Sequence, residues 1–486
     1  MPIKLKSYIN GKWKEHSNGD EKTKYNPANT DEIIYTYHEA TKKEVLETID
    51  DASKAYEQWK NTPAAQRGDY LFKIANLLRE SKEDFATAIV REEGKTYNDA
   101  VKEVGYAAGI IEFYGGACRR IKGTILDADI PNVQIETKPE PLGVVLVVTP
   151  WNFPLSIPAW KIAPAIASGN TAILKSSSDT PYTAMKFMEV IDKSGLPNGV
   201  VNHVLTPGKT VNSMIHHKAI KAVTFTGSNK VGNIVYQEAA KNMKRCLLEM
   251  GGKNPLIVME DADIEEAVQA AIAGTYGQTG QACTATGRII VHHDIVKSFT
   301  EKLVKQTKDL KVGSGLDNSV DIGPQVNQQE LNSTLELIKS AREEGAVVLA
   351  GGDVPNGSEF EKGFFVEPTV LSQVTSNMRV AQEEIFGPVS NIISVKNITE
   401  AIRVANDVDY GLSSAICTNN LDYMNKALKE IEAGIIKVNM TTTGTFFQAP
   451  FGGRKASSTG TYKELGEEAL EFYLQSKTRY IKSHNI

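Results

Sequence analysis

From Gly143 onward the chain alternates short, mainly apolar runs with segments of helical length, and no other feature of its 486 residues narrows the possible folds as far. The first runs are residues 144–148, 172–174, 200–205 and 222–225. A run that is apolar at every position suits a strand buried on both faces, and parallel strands need a helical crossover between them. The segment is therefore expected to form an open parallel α/β sheet, whose ligands bind beyond the carboxyl ends of the strands. After Gly251-Gly252 the rhythm restarts, with candidate strands at 256–259, 288–291, 347–349, 391–395 and 435–438, and this predicts a second α/β domain. No repeat or Pro/Gly/Ser linker separates the halves, so the boundary rests on the glycine pair and the resumed pattern.

The first third reads as helices. Thr41-Lys42-Lys43-Glu44 forms a capping box, followed at helical spacing by Val45, Leu46, Ile49, Ala52, Tyr56 and Trp59. Leu71, Ile74 and Leu78 mark one further stripe; Val101, Val104, Ala108 and Ile111 mark another, which Gly115-Gly116 is expected to interrupt. The chain is too long for one core, and at roughly 150 residues per domain two or three domains are expected. With 41% hydrophobic and 23% charged residues it has the balance of a globular protein, and a formal charge of -5 gives nucleic acid no broad basic field. A small-molecule partner fits better. The N-terminal sequence lacks a signal-peptide core, and the most apolar stretch, 143–148, is too short to cross a bilayer, so a cytoplasmic protein without membrane contact is expected. Cys118, Cys246, Cys283 and Cys417 are scattered without metal-ligand spacing, which suggests reduced thiols and no metal.

Five features could carry chemistry. Cys283 lies in a polar, glycine-bearing turn (Gly277-Gln278-Thr279-Gly280-Gln281-Ala282-Cys283) just before a candidate strand; it is a nucleophile if exposed and ionised, an inert thiol if buried. Glu249 ends the run Cys246-Leu247-Leu248 ahead of Gly251-Gly252; there it is either a general base with a raised pKa or a surface carboxylate. Asn152, in Thr149-Pro150-Trp151-Asn152-Phe153-Pro154, could offer a fixed amide to an oxyanion or merely serve its turn. Phe225-Thr226-Gly227-Ser228-Asn229-Lys230-Val231-Gly232 joins a strand to a helix, where free N–H groups attract phosphate, although it is not a GxGxxG fingerprint. Lys175, at the end of 172–174, could reach ribose or phosphate, or simply be solvated.

Taken together and in order, these residues resemble the aldehyde dehydrogenase superfamily over residues 8–480. The resemblance is carried by Pro150-Trp151-Asn152-Phe153-Pro154, Lys175, Phe225-Thr226-Gly227-Ser228, Leu248-Glu249-Met250-Gly251-Gly252-Lys253, Gly280-Gln281-Ala282-Cys283, Glu383-Glu384-Ile385-Phe386-Gly387-Pro388 and Pro450-Phe451-Gly452-Gly453. It implies an α/β fold with a Rossmann-type NAD(P)-binding domain over 1–121 and 142–251 and an α/β catalytic domain over 252–450. A small β oligomerisation element and C-terminal segment would occupy 122–141 and 451–486. By the same resemblance Cys283 is the nucleophile, Glu249 the general base, and Asn152 with the Cys283 backbone N–H the oxyanion hole. Trp151, Lys175, Ser178, Gly208, Gly227, Ser228, Gly232, Glu384 and Phe386 would hold NAD or NADP, Lys175 at the adenosine ribose, the 227–232 loop at the pyrophosphate, Glu384 and Phe386 at the nicotinamide half.

The implied reaction oxidises an aldehyde to its carboxylic acid through a thioester on Cys283, in a homodimer or homotetramer. Ser178 stands where many NAD-preferring members carry glutamate, and a small neutral residue removes the repulsion of a 2'-phosphate, opening the site to NADP. Asn229 and Ser458 also depart from the common pattern, away from the chemistry. Within the superfamily, residues 280–286, 432–439 and 448–453 resemble the 2-oxoglutarate semialdehyde (2,5-dioxopentanoate) dehydrogenase branch. Its carboxylate-bearing substrate calls for a cation near the pocket, with Lys437 and Arg288 as candidates, while Phe446-Phe447 departs from the branch where the substrate tunnel is expected. The alternatives are a non-catalytic NAD(P)-binding or structural protein on the same fold, and a CoA-acylating aldehyde dehydrogenase, against which Glu249 argues.

Overall fold

Two seven-stranded sheets organise the chain in the computed structural model, which describes residues 2–483. The first runs Arg245–Glu249, Ile220–Thr226, Val144–Val148, Thr171–Lys175, Val201–His203, all parallel, and is extended by Ser7–Ile9 and Lys12–Lys14 in antiparallel register. Alternate residues of Val144–Val148 point into different cores. Val145 and Val147 pack with the helices Ala64–Glu80, Tyr97–Ala117 and Ser156–Ala167, whereas Val144, Leu146 and Val148 pack with Val45 and Ile49 of the helix Lys42–Trp59. Double burial is thus why the run has no polar position. The chain winds outward from Val144–Val148 to Val201–His203, then returns to place Ile220–Thr226 on the other side. Strand order reverses between Val144–Val148 and Ile220–Thr226, so a crevice opens at their carboxyl ends.

The second sheet runs Val347–Ala350, Thr369–Ser372, Val389–Val395, Thr286–His292, Asn254–Val258, Ser413–Cys417, Ile435–Val438, parallel except for its first strand. Leu256 and Val258 face one core, Ile257 the other. Glu249 closes the last strand of the first sheet and Cys283 lies just ahead of Thr286–His292 in the second. The carboxyl edge of one sheet therefore meets the amino edge of the other, and the site forms there. A third, antiparallel sheet joins Ile125–Asp127, Val133–Pro141 and Leu474–Lys482, the last two in unbroken register from Leu474↔Pro141 to Lys482↔Val133.

Several expectations need correction. The first third is not wholly helical: Glu21–Asn26 and Asn29–His38 form an antiparallel pair whose mixed burial leaves no clean apolar alternation to read. The helix Tyr97–Ala117 runs straight through Gly115-Gly116. A Cβ on Gly68 would stand 2.6 Å from the Gly115 carbonyl oxygen, so these glycines bring two helices together and end neither. The strands Thr369–Ser372 and Ser413–Cys417 went unread because they are short and partly polar. The capping box is present, with the Glu44 N–H donating to the Thr41 hydroxyl and the Glu44 carboxylate accepting from the Thr41 N–H at 2.8 Å.

Candidate active site

Cys283 is held by its backbone. Its carbonyl accepts from Asn254 Nδ2 at 2.8 Å, and the same amide group reaches the Ala285 carbonyl at 2.8 Å. The preceding Gln281 is buried, its Oε1 accepting from the Val326 N–H at 3.0 Å. Gly280 has φ +69°, and a Cβ there would lie 2.2 Å from the Gly387 carbonyl oxygen, so the turn admits only glycine. Half-buried Cys283 lines a cavity of about 690 Å³ with Phe153, Trp160 and Phe451 among its apolar walls. Burial, then Glu384, Glu249 and Glu464, push the thiol well above its ordinary pKa. The shift favours the protonated thiol, so reaction as a thiolate calls for a base. The other three cysteines are buried with raised pKa values, Cys118 at about 11 and Cys246 and Cys417 at about 12, as inert core thiols.

Asn152, 3% exposed, reaches the same turn: its Nδ2 donates to the Gln281 carbonyl at 2.9 Å, which uses one of its two amide hydrogens. A buried ion pair that nothing in the sequence pattern singled out supports it. Lys95 Nζ donates to the Asn152 carbonyl at 2.7 Å and to Glu103 Oε2 at 2.8 Å, while Glu103 Oε1 accepts from the N–H groups of Leu155 at 2.9 Å and Ser156 at 3.1 Å. Charge-assisted bonds on both sides thus fix the turn that carries the amide.

Glu249 is 2% exposed, with Oε2 accepting from the Gly453 N–H at 3.2 Å and Oε1 without a protein partner. Burial first, and Glu464 second, raise its pKa well above the carboxylate range. Behind it Glu464 is ion-paired to the fully buried Lys161, whose Nζ also donates to the Thr224 hydroxyl at 2.9 Å. Glu464 and Lys161 also escaped the sequence reading: one is remote in the chain, and the other sits in a helix buried on every side.

The crevice at the strand reversal fits a dinucleotide on its own observations. Lys175, at a strand end, is 8% exposed, burial lowers its pKa, and among the described residues it makes no ion pair. The Thr149 and Thr226 hydroxyls are buried there without partners. Ser228 caps the helix Asn229–Lys241 by accepting from the Val231 N–H, which leaves the N–H groups of Asn229 and Lys230 for an anion. Gly227 and Gly232 have their own N–H groups bonded to the Glu249 and Ser228 carbonyls. Their use is clearance: a Cβ on Gly232 would meet Met250 Sδ at 2.4 Å, while one on Gly208 would meet open space. Ser178 is exposed, with no charge of its own to repel a 2'-phosphate. Across the crevice Glu384 accepts from the Gly252 N–H at 3.0 Å, its pKa raised to about 7 by burial. Phe386 packs edge-on against Trp151 with ring centroids 5.3 Å apart.

Neither cation named from the sequence lines the cavity of Cys283. Arg288 is 1% exposed and spends its guanidinium on the carbonyls of Lys253, Val404 and Ala405. Lys437 Nζ is bound by the carbonyls of Thr442, Thr443 and Gly444. Among the described residues the one cation lining the cavity is Lys102, 3.4 Å from Asp99. Phe447 packs on Tyr106 and Phe113 while Phe446 is exposed, so only part of the divergent Phe446-Phe447 pair is turned inward. At the far end of the second sheet His292, His293 and Asp294 bring ligand atoms within 4.8 Å of one another, remote from Cys283 along the strand. Among the described residues no helix is long and apolar enough to cross a membrane.

Comparison with known proteins agrees with this geometry. The model of the aldehyde dehydrogenase family matches residues 13–479. An alpha-ketoglutarate semialdehyde dehydrogenase of Haloferax volcanii is 43% identical over 98% of both chains, and a 2,5-dioxopentanoate dehydrogenase of Saccharolobus solfataricus is 43% identical over 98% of this chain and 99% of its own. Among solved structures, a 3,6-anhydro-L-galactose dehydrogenase in complex with NAP superposes with a TM-score of 0.96 at 38% identity, over 99% of this chain and 100% of that one. A betaine aldehyde dehydrogenase of Staphylococcus aureus in complex with NAD+ gives 0.96 at 34% identity, over 99% and 95%. The chain therefore belongs to the aldehyde dehydrogenase family, and is an oxidoreductase that converts aldehydes to carboxylic acids with NAD or NADP.

Proposed function

We propose that the protein oxidises a carboxylate-bearing semialdehyde of the 2-oxoglutarate semialdehyde type, with Cys283 as nucleophile. The observation that carries this reading is the cavity onto which Cys283 opens, whose one cationic lining residue is Lys102. Lys102 would hold the carboxylate while the aldehyde carbon meets the sulfur. The two relatives at 43% identity, named for that semialdehyde under two names, support the same substrate class.

In this mechanism the Cys283 thiol yields its proton to a base and adds to the aldehyde carbon, while the second amide hydrogen of Asn152 and the Cys283 backbone N–H stabilise the oxyanion. Bound NAD or NADP supplies the hydride acceptor. Trp151, Lys175, Ser178, Gly208, Gly227, Ser228, Gly232, Glu384 and Phe386 line its place. Glu249, poised by burial to accept a proton, then activates the water that hydrolyses the thioester. Water rather than CoA takes the acyl group, because Glu249 stands ready for it. We assign residues 1–121 and 142–251 to the cofactor domain, 252–450 to the catalytic domain, and 122–141 with 451–486 to oligomerisation. The break near 251 falls between the strands Arg245–Glu249 and Asn254–Val258, in keeping with that division; residues 484–486 lie outside the described residues. The edge strand Leu474–Lys482, with Tyr480 and Ile481 exposed, supports a homodimer or homotetramer. Four free thiols suit a cytoplasmic enzyme.

The test compares kcat/KM for 2-oxoglutarate semialdehyde and for pentanal, with each cofactor. The semialdehyde is expected to be preferred, K102M to erase about tenfold of that preference, and C283A to abolish oxidation of both. A wild-type preference for pentanal would reject the carboxylate reading, and full activity of C283A would reject the nucleophile.

A further inference from the structure

We infer that Lys437 is a positioning residue for the outer wall of the aldehyde cavity, its ammonium gathering three successive backbone carbonyls and so fixing the loop against which the substrate chain lies. This rests on the reading of that cavity as the aldehyde's entry. Lys437 stands on the edge strand Ile435–Val438, opposite Ala415, after which the chain turns back at Asn439 with φ 52°. The returning loop aims the carbonyls of Thr442, at 3.2 Å, Thr443, at 2.6 Å, and Gly444, closer still, at Nζ. An ammonium has three hydrogens and no acceptor, so these bonds saturate it and leave nothing for a substrate carboxylate. Three successive carbonyls converge on one point only when a cation compensates their repulsion. No carboxylate pairs with Lys437 among the described residues, and burial alone lowers its pKa to about 8.

The same loop builds the site on its other face. Thr443, Gly444 and Thr445 line the cavity with Cys283. The Thr442 hydroxyl donates to the Thr284 carbonyl at 2.8 Å, next to the nucleophile, and its carbonyl also accepts from the Ser413 hydroxyl at 2.8 Å. The hydroxyls of Thr445 and Tyr106 meet at 2.7 Å, tying the loop to the helix Tyr97–Ala117 across the cavity. Met440 and Phe446 on the two flanks are 45% and 63% exposed, so apolar burial does not hold the loop's shoulders. The ammonium of Lys437 does, through its three carbonyls.

The test is the aldehyde-length profile of K437M, K437Q and K437R beside wild type. Acetaldehyde ends short of the wall and is expected to change by less than about twofold, while pentanal and 2-oxoglutarate semialdehyde both lose about tenfold in kcat/KM, chiefly through KM. K437Q, with two amide hydrogens, should fall between, and K437R, which keeps the cation, should recover most of the loss. A loss confined to the semialdehyde would mean that Lys437 binds the carboxylate itself, and would overturn the proposal. Equal loss on all three aldehydes, together with a lowered Tm, would reduce Lys437 to a stabilising residue and overturn it too. If K437M does not fold, the pentanal-to-acetaldehyde ratio of K437Q decides the matter in the same way. Should wild type show no preference for the semialdehyde, the substrate reading fails separately, since the ratio for the two uncharged aldehydes still reads the wall.

Discussion

At Cys283 and Glu249 burial and neighbouring carboxylates act in one direction, so each group binds its proton more tightly than in water. In the proposed mechanism both act when deprotonated, and both deprotonated fractions grow with pH. Turnover by wild type is therefore expected to climb as pH rises through neutrality. E249Q should lower steady-state turnover by roughly 10² to 10⁴-fold and lose the part of that rise that belongs to Glu249, while keeping a rapid first burst of NADH or NADPH, because it removes water activation and leaves thioester formation. An unaltered pH profile in E249Q would deny Glu249 that role. N152A, tested beside it, should cost about 10² to 10³ in kcat through the lost oxyanion donor. The candidate residues themselves were legible because each sits at a strand end or glycine turn. A raised pKa was one reading of Glu249, but that of the Cys283 thiol was not legible, because it depends on Glu384, Glu249 and Glu464, which only packing brings near.

At the scale of elements, the helix Tyr97–Ala117 reaches beneath the Asn152 turn through Glu103, and Lys95, just ahead of that helix, holds the Asn152 carbonyl. Removing one partner of a buried pair strands the other's charge. E103A is accordingly expected to lower stability by about 3–5 kcal/mol in urea unfolding, and to reduce kcat because the turn carrying Asn152 loses two of its anchors. Unchanged stability would mean that water solvates Lys95 there. The glycines show why elements were misread in places. Gly115-Gly116 has the composition of a helix break, but its position opposite Gly68 makes it a helix–helix contact. In the same way the half-exposed strands near the N-terminus hide their period, since neither face is fully dry.

At the scale of the molecule, the sheet ending in Leu474–Lys482 offers an unpaired edge and exposed apolar side chains, Tyr480 72% and Ile481 49% exposed. Such an edge invites another strand or another subunit. The substitution I481K is expected to weaken self-association by at least about tenfold in sedimentation and to make Tm depend less on concentration; an unshifted sedimentation profile would place the interface elsewhere. The chain alone pointed to strands such as Val144–Val148, apolar throughout because both faces are buried, and to the turn at Gly280, where a Cβ would stand 2.2 Å from the Gly387 carbonyl oxygen. Only the tertiary structure decided which cation lines the cavity. Lys102, Arg288 and Lys437 carry the same charge in the sequence; what distinguishes them is whether their hydrogens are already bound to carbonyls, and that depends on which distant backbone the fold carries past them.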